Sequence, residues 1–410
     1  MTLRLRTLAR RLGAVILALS TAGALASPAA AQDGGLDRQA LRQSLDAVRD
    51  AGMYGIYSNV VDGRQSWKGA SGVADVETSR PMRADMVHRA GSITKTFTSV
   101  AVLQQAGRGT IELDAPIGRY LPGLVPGERG QRITVRMLLN HTSHIADYDT
   151  LVFTSAETLE AYRFRTFAPE ELVNLALAAP ATGEPGTAGT YSNTNYILLG
   201  LLLKRVTGVS PERYITDNVI RRAGLRHTSF PRTPFIPGPH SKAYESLFGL
   251  IDPPKDFSVY NPSVMGMAGS IVSTMEDLNR FYRALLRGEL LGAGLLAEMR
   301  KTASVDGAAY GLGIFPVDLP CGRFWGHNGG VFGMATFSFS SPDGGRQLSF
   351  GYNLTGYQRL DENGVPVPSP IDAAVLQHLL VALCGPGTAR TSTLDGIMMR
   401  PRQPGVVAGW

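Results

Sequence analysis

An antiparallel sheet flanked by helices, with an all-helical domain inserted into it, is the α/β (α+β) fold that this sequence predicts. Three observations carry the prediction: hairpin signals stand near both ends of the chain, a helix-rich stretch without internal repeats lies between them, and each hairpin has a helical segment beside it. At 410 residues, 44% apolar and 18% charged, the chain is long enough for a large core or two domains. That composition excludes disorder, collagen and coiled coil.

The N-terminus reads as an address. Arg4, Arg6, Arg10 and Arg11 precede an apolar run over 12–26, and Ser27-Pro28-Ala29-Ala30-Ala31 matches a small-residue cleavage site. A signal peptide over 1–31, cleaved after Ala31, is expected, which makes the mature protein secreted or extracytoplasmic. The pair Arg10-Arg11 fits both Sec and twin-arginine export. No later stretch approaches the ~18 apolar residues of a membrane span, so no stable membrane anchor is expected. The formal charge is +6, but without those four arginines 36 basic side chains face 34 acidic ones. No basic stripe interleaved with aromatics follows, and nucleic acid is not an expected partner.

Along the rest of the chain, 36–51 is amphipathic at helical spacing. A strand over 54–61, the turn Asp62-Gly63 and a second strand through Trp67 follow. Ile93, Phe97, Val100 and Ala101 fall at helical spacing up to Gly107. The middle, 114–264, is helical and broken by Pro/Gly/Thr loops at 180–190 and 231–239. Strands over 334–340 and 347–353 surround Pro342-Asp343-Gly344-Gly345, and a last helix covers 371–384. The expected organisation is a discontinuous sheet domain (32–113 and 265–384), a helical domain (114–264) and a flexible tail (385–410) rich in Gly, Pro and Arg. Export makes Cys321 and Cys384 candidates for one disulfide.

Three motifs carry chemistry. In Ser92-Ile93-Thr94-Lys95 the serine lies at a helix N-terminus, and residues three apart share a face, so the amine can approach the hydroxyl and activate it. A plain N-cap with a solvated lysine also fits those four residues. Tyr191-Ser192-Asn193 stands at a loop-helix junction, offering a phenol for proton transfer and an amide for a substrate carbonyl; a core Tyr with a capping Asn is the structural alternative. In His327-Asn328-Gly329-Gly330, on an apparent strand, the glycines mark a close approach of ligand or backbone. Such an edge can pair with a peptide-like substrate and lend a backbone N–H to an oxyanion; a Gly-rich bulge with a surface His is the structural alternative.

Taken together in this order, the motifs make the chain resemble the serine β-lactamase and DD-peptidase superfamily, in the branch of class C β-lactamases and secreted D-alanyl-D-alanine carboxypeptidases. The resemblance extends to Leu138-Leu139-Asn140-His141-Thr142-Ser143, Pro185-Gly186-Thr187, Gly269 to Thr274 and Tyr310-Gly311-Leu312-Gly313. It implies a β-lactamase/transpeptidase-like fold, Ser92 as acylated nucleophile, Lys95 as its proton partner and Tyr191 as general acid/base. It also implies Asn193, His327, Gly329 and Gly330 as substrate-binding residues, with the N–H groups of Ser92 and Gly330 forming the oxyanion hole. An acyl-enzyme of this kind needs no metal or cofactor. The expected function is a serine-type D-alanyl-D-alanine carboxypeptidase, a monomer acting on a small peptide or β-lactam. A β-lactamase, esterase or D-aminopeptidase of the same family is the alternative.

Two departures from the family pattern stand out. His144 replaces a usual Gly, which matters if that position requires φ > 0. His327 replaces the Lys of class C β-lactamases, which favours the peptidase side. Facing a substrate carboxylate with an unperturbed pKa near ~6.5, it would make binding pH-dependent. Two readings of other classes compete: a metallohydrolase using His141, His144 and Asp147 at three-residue spacing on one helix face, and a non-enzymatic penicillin-binding sensor on the same fold. No Gly-x-Ser-x-Gly elbow of an α/β-hydrolase occurs.

Overall fold

The computed structural model describes residues 35–388; the expected signal peptide over 1–31 and, of the expected tail over 385–410, residues 389–410 lie outside the described residues. The strands are β1 (Gly55–Asp62), β2 (Gln65–Asp75), β3 (Arg80–Pro81), β4 (Ala303–Val305), β5 (Ala308–Tyr310), β6 (Phe315–Leu319), β7 (Gly322–Val331), β8 (Met334–Ser340) and β9 (Arg346–Tyr352), beside shorter pairs. The helices used below are α1 (Arg38–Asp50), α2 (Thr94–Gly107), α3 (Pro169–Ala178), α4 (Thr194–Thr207), α5 (Met275–Leu286) and α6 (Pro370–Cys384). The mixed antiparallel-sheet architecture is as expected from the sequence. Seven strands pair antiparallel in the order β6-β7-β8-β9-β1-β2-β3, so the N-terminal hairpin joins the C-terminal strands through the β1–β9 pair.

Local chemistry explains the elements that frame this sheet. The Asp37 carboxylate accepts from the Ala40 N–H and caps α1. Ser369 and Asp372 form a reciprocal capping box on α6, whose first residue is Pro370. These two helices cover one sheet face: Leu41, Leu45 and Val48 of α1 and Val375 and Leu379 of α6 share a core with Ile56, Val60, Leu348 and Phe350. The other face carries α5, which contributes polar groups as well as apolar ones. Asn279 donates to Asn59 Oδ1 (2.7 Å) and accepts from Ser349 Oγ (2.7 Å), keeping buried polar atoms satisfied. Beyond it, α2 is buried on nearly every side. Phe97 stacks on Phe281 of α5 with centroids 3.7 Å apart, and the same core continues to Leu198 and Leu202 of α4.

Differences from the sequence reading have local causes. The second strand runs on to Asp75, past Trp67, because residues 65–72 pair with β1 and Val73 and Asp75 go on to pair with β3 around a bulge. The β4–β5 hairpin was not anticipated. Among the described residues no helix is long and apolar enough to cross a membrane.

Cys321, just before β7, is bonded to Cys384 at the end of α6, with Cα atoms 5.4 Å apart. The bond ties the sheet to its covering helix across a separation of 63 residues. In the chain-entropy limit, a loop of this length stabilises by about 4 kcal/mol. Thiol titration of the denatured, unreduced protein is expected to find no free sulfhydryl, and the double serine variant is expected to melt at lower temperature. Two titratable thiols would refute the bond.

Candidate active site

A turn of 3₁₀ helix, Gly91–Ile93, leads directly into α2, so Ser92 sits at the helix N-terminus. The preceding backbone touches β7 without room for a side chain. A Cβ on Gly91, whose φ is +54°, would stand 2.6 Å from Gly330 N, and one on Gly329 would stand 2.0 Å from Ala90 O and 2.8 Å from Ser92 N. These glycines are therefore steric requirements of bringing Ser92 against the strand that carries Gly330. Gly329→Ala is expected to push β7 away from Ser92 and lower kcat/KM by about 10²-fold or more, the scale of losing one oxyanion donor. Rates within threefold of wild type on both an amide and an ester would show that this packing is not needed.

Lys95 is fully buried, and its Nζ lies 2.9 Å from Ser92 Oγ, 2.6 Å from Asn193 Oδ1 and 2.9 Å from Ala268 O. The spacing of three along the helix thus brings amine and hydroxyl within proton-transfer reach. The rings of Tyr191 and Tyr196 flank the amine at 4.9 and 5.6 Å.

Asn193 was expected to meet the substrate amide. It lines the cleft, and both ends of its carboxamide are also engaged inside the protein. Oδ1 faces Lys95, while Nδ2 donates to Asp147 (3.1 Å) and Asp149 (2.8 Å). Because carboxylates only accept, this fixes which end of the amide points where. Asn193 links two acids to the lysine.

Tyr191 is held from its backbone and by its ring. Its N–H donates to Asp306 Oδ2 (3.0 Å), and its ring packs on His141 with centroids 4.1 Å apart. His141 Nδ1 accepts from the Ser192 N–H at 3.2 Å, so the histidine of the Asn140-His141-Thr142-Ser143 motif supports the Tyr-x-Asn turn.

The helix-face premise of the metal reading fails. His141 and His144 have φ of +60° and +57°, which a right-handed helix does not contain, and their imidazoles bond different partners. His144 bonds Thr182 Oγ1 (3.0 Å) and Thr187 Oγ1 (2.9 Å), away from His141. Among the described residues no group of three His, Cys, Asp or Glu could hold a metal. The same φ shows that position 144 is a left-handed one, and the two threonine bonds offset the strain of placing His there.

His327 also differs from expectation. It is 1% exposed on β7, with Nδ1 against Asn328 O and Nε2 2.8 Å from Tyr310 OH. A carbonyl only accepts, so Nδ1 carries the proton and Nε2 accepts from the phenol. Burial, reinforced by the Lys95 charge, lowers the imidazole pKa to about 3. His327 is therefore neutral over the working pH range and supplies no charge to a carboxylate.

The cleft beside Ser92 is narrow, with a cavity volume of about 40 Å³, well short of the pockets that enclose a drug-sized ligand. Ser92, Asn193, Asp149 and Gly330 line its polar side, and Tyr148, Phe153, Met265 and Phe332 its apolar side. Asp149 and the aromatic wall carried no signal in the sequence reading. The one available hint was the position of Tyr148, Asp149 and Phe153 shortly after the Asn140-His141-Thr142-Ser143 motif and of Phe332 two residues after Gly330.

The family model described as Beta-lactamase matches residues 38–350. A solved D-stereospecific amidohydrolase from Streptomyces sp. is 35% identical with a TM-score of 0.75, over 85% of this chain and 99% of that one. Penicillin-binding protein 4* of Bacillus subtilis (strain 168) is 24% identical over 68% of this chain, and a D-aminopeptidase of Cereibacter sphaeroides is 26% identical over 75%. The alignments span 63% and 58% of those two relatives.

Proposed function

We propose that this chain, which belongs to the Beta-lactamase family of serine hydrolases, hydrolyses amides of D-configured acyl groups through an acyl-enzyme on Ser92. The observation that carries the reading is the 2.9 Å approach of the anchored Lys95 amine to Ser92 Oγ. The resting Lys95 amine is charged, and in the fraction that has released a proton to solvent it takes the hydroxyl proton as Oγ bonds to the substrate carbonyl carbon. The negative charge that develops on the carbonyl oxygen falls between the N–H groups of Ser92 and Gly330. Collapse breaks the C–N bond, and the departing amine receives a proton through the Tyr191 phenol. Water then attacks the ester and restores Ser92.

The substrate side rests on charge. A carboxypeptidase has to recognise a terminal carboxylate, yet none of the described residues lining the cleft is Arg or Lys, and His327 is uncharged. The cleft presents the Asp149 carboxylate instead, which favours a substrate bearing an ammonium group over one bearing a carboxylate. Relatives named a D-stereospecific amidohydrolase and a D-aminopeptidase support the D configuration. The second reading, a D-alanyl-D-alanine carboxypeptidase, has the penicillin-binding relative in its favour. The leader-like 1–31 sequence and the disulfide support action outside the cytoplasm.

The test compares kcat/KM for D-phenylalanine amide, a peptide ending in D-Ala-D-Ala, a chromogenic cephalosporin and a short-chain ester. The amide is expected to exceed the D-Ala-D-Ala peptide at least tenfold. The reverse order would reinstate the carboxypeptidase. Because His327 does not titrate, acid and ester substrates are expected to give the same pH profile between pH 5 and 8.

A further inference from the structure

We propose that the β4–β5 hairpin is a positioning device for the catalytic tyrosine, with Asp306 at its tip as the positioning residue. This inference rests on the reading of Tyr191 as proton carrier. The hairpin is short, two three-residue strands joined by Asp306-Gly307, whose φ values of +48° and +83° are the left-handed pair of a type I′ turn.

Its tip is docked rather than projecting. Gly189 N donates to Ser304 O (2.7 Å), Asp306 N donates to Gly189 O (3.0 Å), and the Asp306 carboxylate accepts from Tyr191 N at 3.0 Å. Three bonds therefore attach the hairpin to the loop that ends in Tyr191, the last of them directly on the tyrosine backbone. Gly189 has no room for a side chain on its other side, where a Cβ would stand 2.2 Å from His141 O. The Tyr191 loop is thus confined between the His141 segment and the hairpin.

The hairpin's other end reaches the oxyanion strand. Tyr310, the last residue of β5, donates its hydroxyl to His327 Nε2 at 2.8 Å, and its ring lies 4.8 Å from the His141 ring that packs on Tyr191. One small element thus touches both the segment bearing the proton carrier and the strand bearing Gly330. Proton transfer demands placement within fractions of an ångström, and a displacement of about 1 Å can cost 10²-fold in rate.

An Asp-Gly pair is also the preferred dipeptide of a type I′ turn, so a role in the turn alone has to be separated from a role toward Tyr191. Asp306→Gly does so: glycine suits the left-handed φ and keeps the turn, while the carboxylate is lost. Asp306→Asn keeps both the turn preference and an acceptor oxygen. Activity is measured per site, using a fluorophosphonate label to count competent Ser92, with melting temperature recorded for each variant.

For Asp306→Gly, kcat on the best amide substrate is expected to fall about 30- to 100-fold with KM within threefold, and Asp306→Asn is expected to recover most of that loss. A kcat for Asp306→Gly within threefold of wild type would overturn the proposal, as would an Asn variant no better than the Gly variant. Tyr191→Phe separates the two readings. If it destroys turnover while Asp306→Gly does not, only the positioning role fails. If Tyr191→Phe is itself harmless, the catalytic role of Tyr191 fails and this inference with it.

Discussion

Ser92→Ala is expected to remove turnover by a factor on the order of 10⁶, the scale seen when a serine nucleophile is deleted from a site that otherwise stays assembled. The site is built so that the deletion is clean. Lys95 keeps Asn193 Oδ1 and Ala268 O as acceptors, and Asn193 keeps Asp147 and Asp149, so the network under the missing hydroxyl has no reason to collapse. Intact-protein mass after exposure to a penicillin or a fluorophosphonate gives the direct readout. Wild type is expected to gain one adduct and the alanine variant none. An equal adduct on the variant would move the nucleophile elsewhere. Adduct lifetime adds a second discrimination: slow loss of a penicilloyl group fits an amidohydrolase or peptidase, whereas rapid loss fits a β-lactamase and would displace the proposed substrate class.

The contact between Ser92 and Lys95 was legible in the sequence because the two are three residues apart, and local spacing decides their distance. The same holds for β8, β9 and α6, whose bounds lie within a residue or so of the periodic patterns. The internal partners of Asn193 were hidden for the opposite reason. Its partners Asp147 and Asp149 are 46 and 44 residues away in the chain, and no local pattern shows which end of the amide they take. His327 was legible as a strand residue but not as a neutral one, since its charge state follows from burial and from the Lys95 charge, both products of the tertiary fold. His144 was legible in a stronger sense: its departure from a usual Gly marked a left-handed position, which the φ of +57° bears out. The β4–β5 hairpin was hidden because two Ala-containing strands of three residues show no alternation, although Asp306-Gly307 carried the turn signal.

Acid is expected to unfold this protein well above the pH at which its carboxylates titrate. His88, His327 and His378 are each fully buried, and burial lowers each pKa to about 3. His378 bridges Ser44 and Ser58 at 2.9 Å each under the sheet, and His88 meets Tyr57 OH and Ala335 O. In the unfolded chain the same groups titrate near ~6.5. Their folded pKa is the lower one, so between about pH 6.5 and pH 3 the unfolded state binds protons the native state refuses, and stability falls as pH falls. At pH 5 each group costs roughly 2 kcal/mol and the three together roughly 6 kcal/mol, which is comparable to the whole net stability of a typical domain. Buried Glu245 acts in the opposite sense, because burial raises its pKa, but it is one group against three. The paired acids with lowered pKa, such as Asp75 and Asp114, lose their contribution only below about pH 4, outside this window. The melting temperature is therefore expected to drop steeply between pH 6.5 and 5, with an uptake approaching three protons on unfolding near pH 5. His378→Gln lies in α6, on the sheet face opposite α5, and it is expected to lower that uptake by about one proton. A melting temperature that stays level from pH 7 to 5, or the same proton uptake in the His378→Gln variant, would show that these imidazoles are not held neutral by the fold.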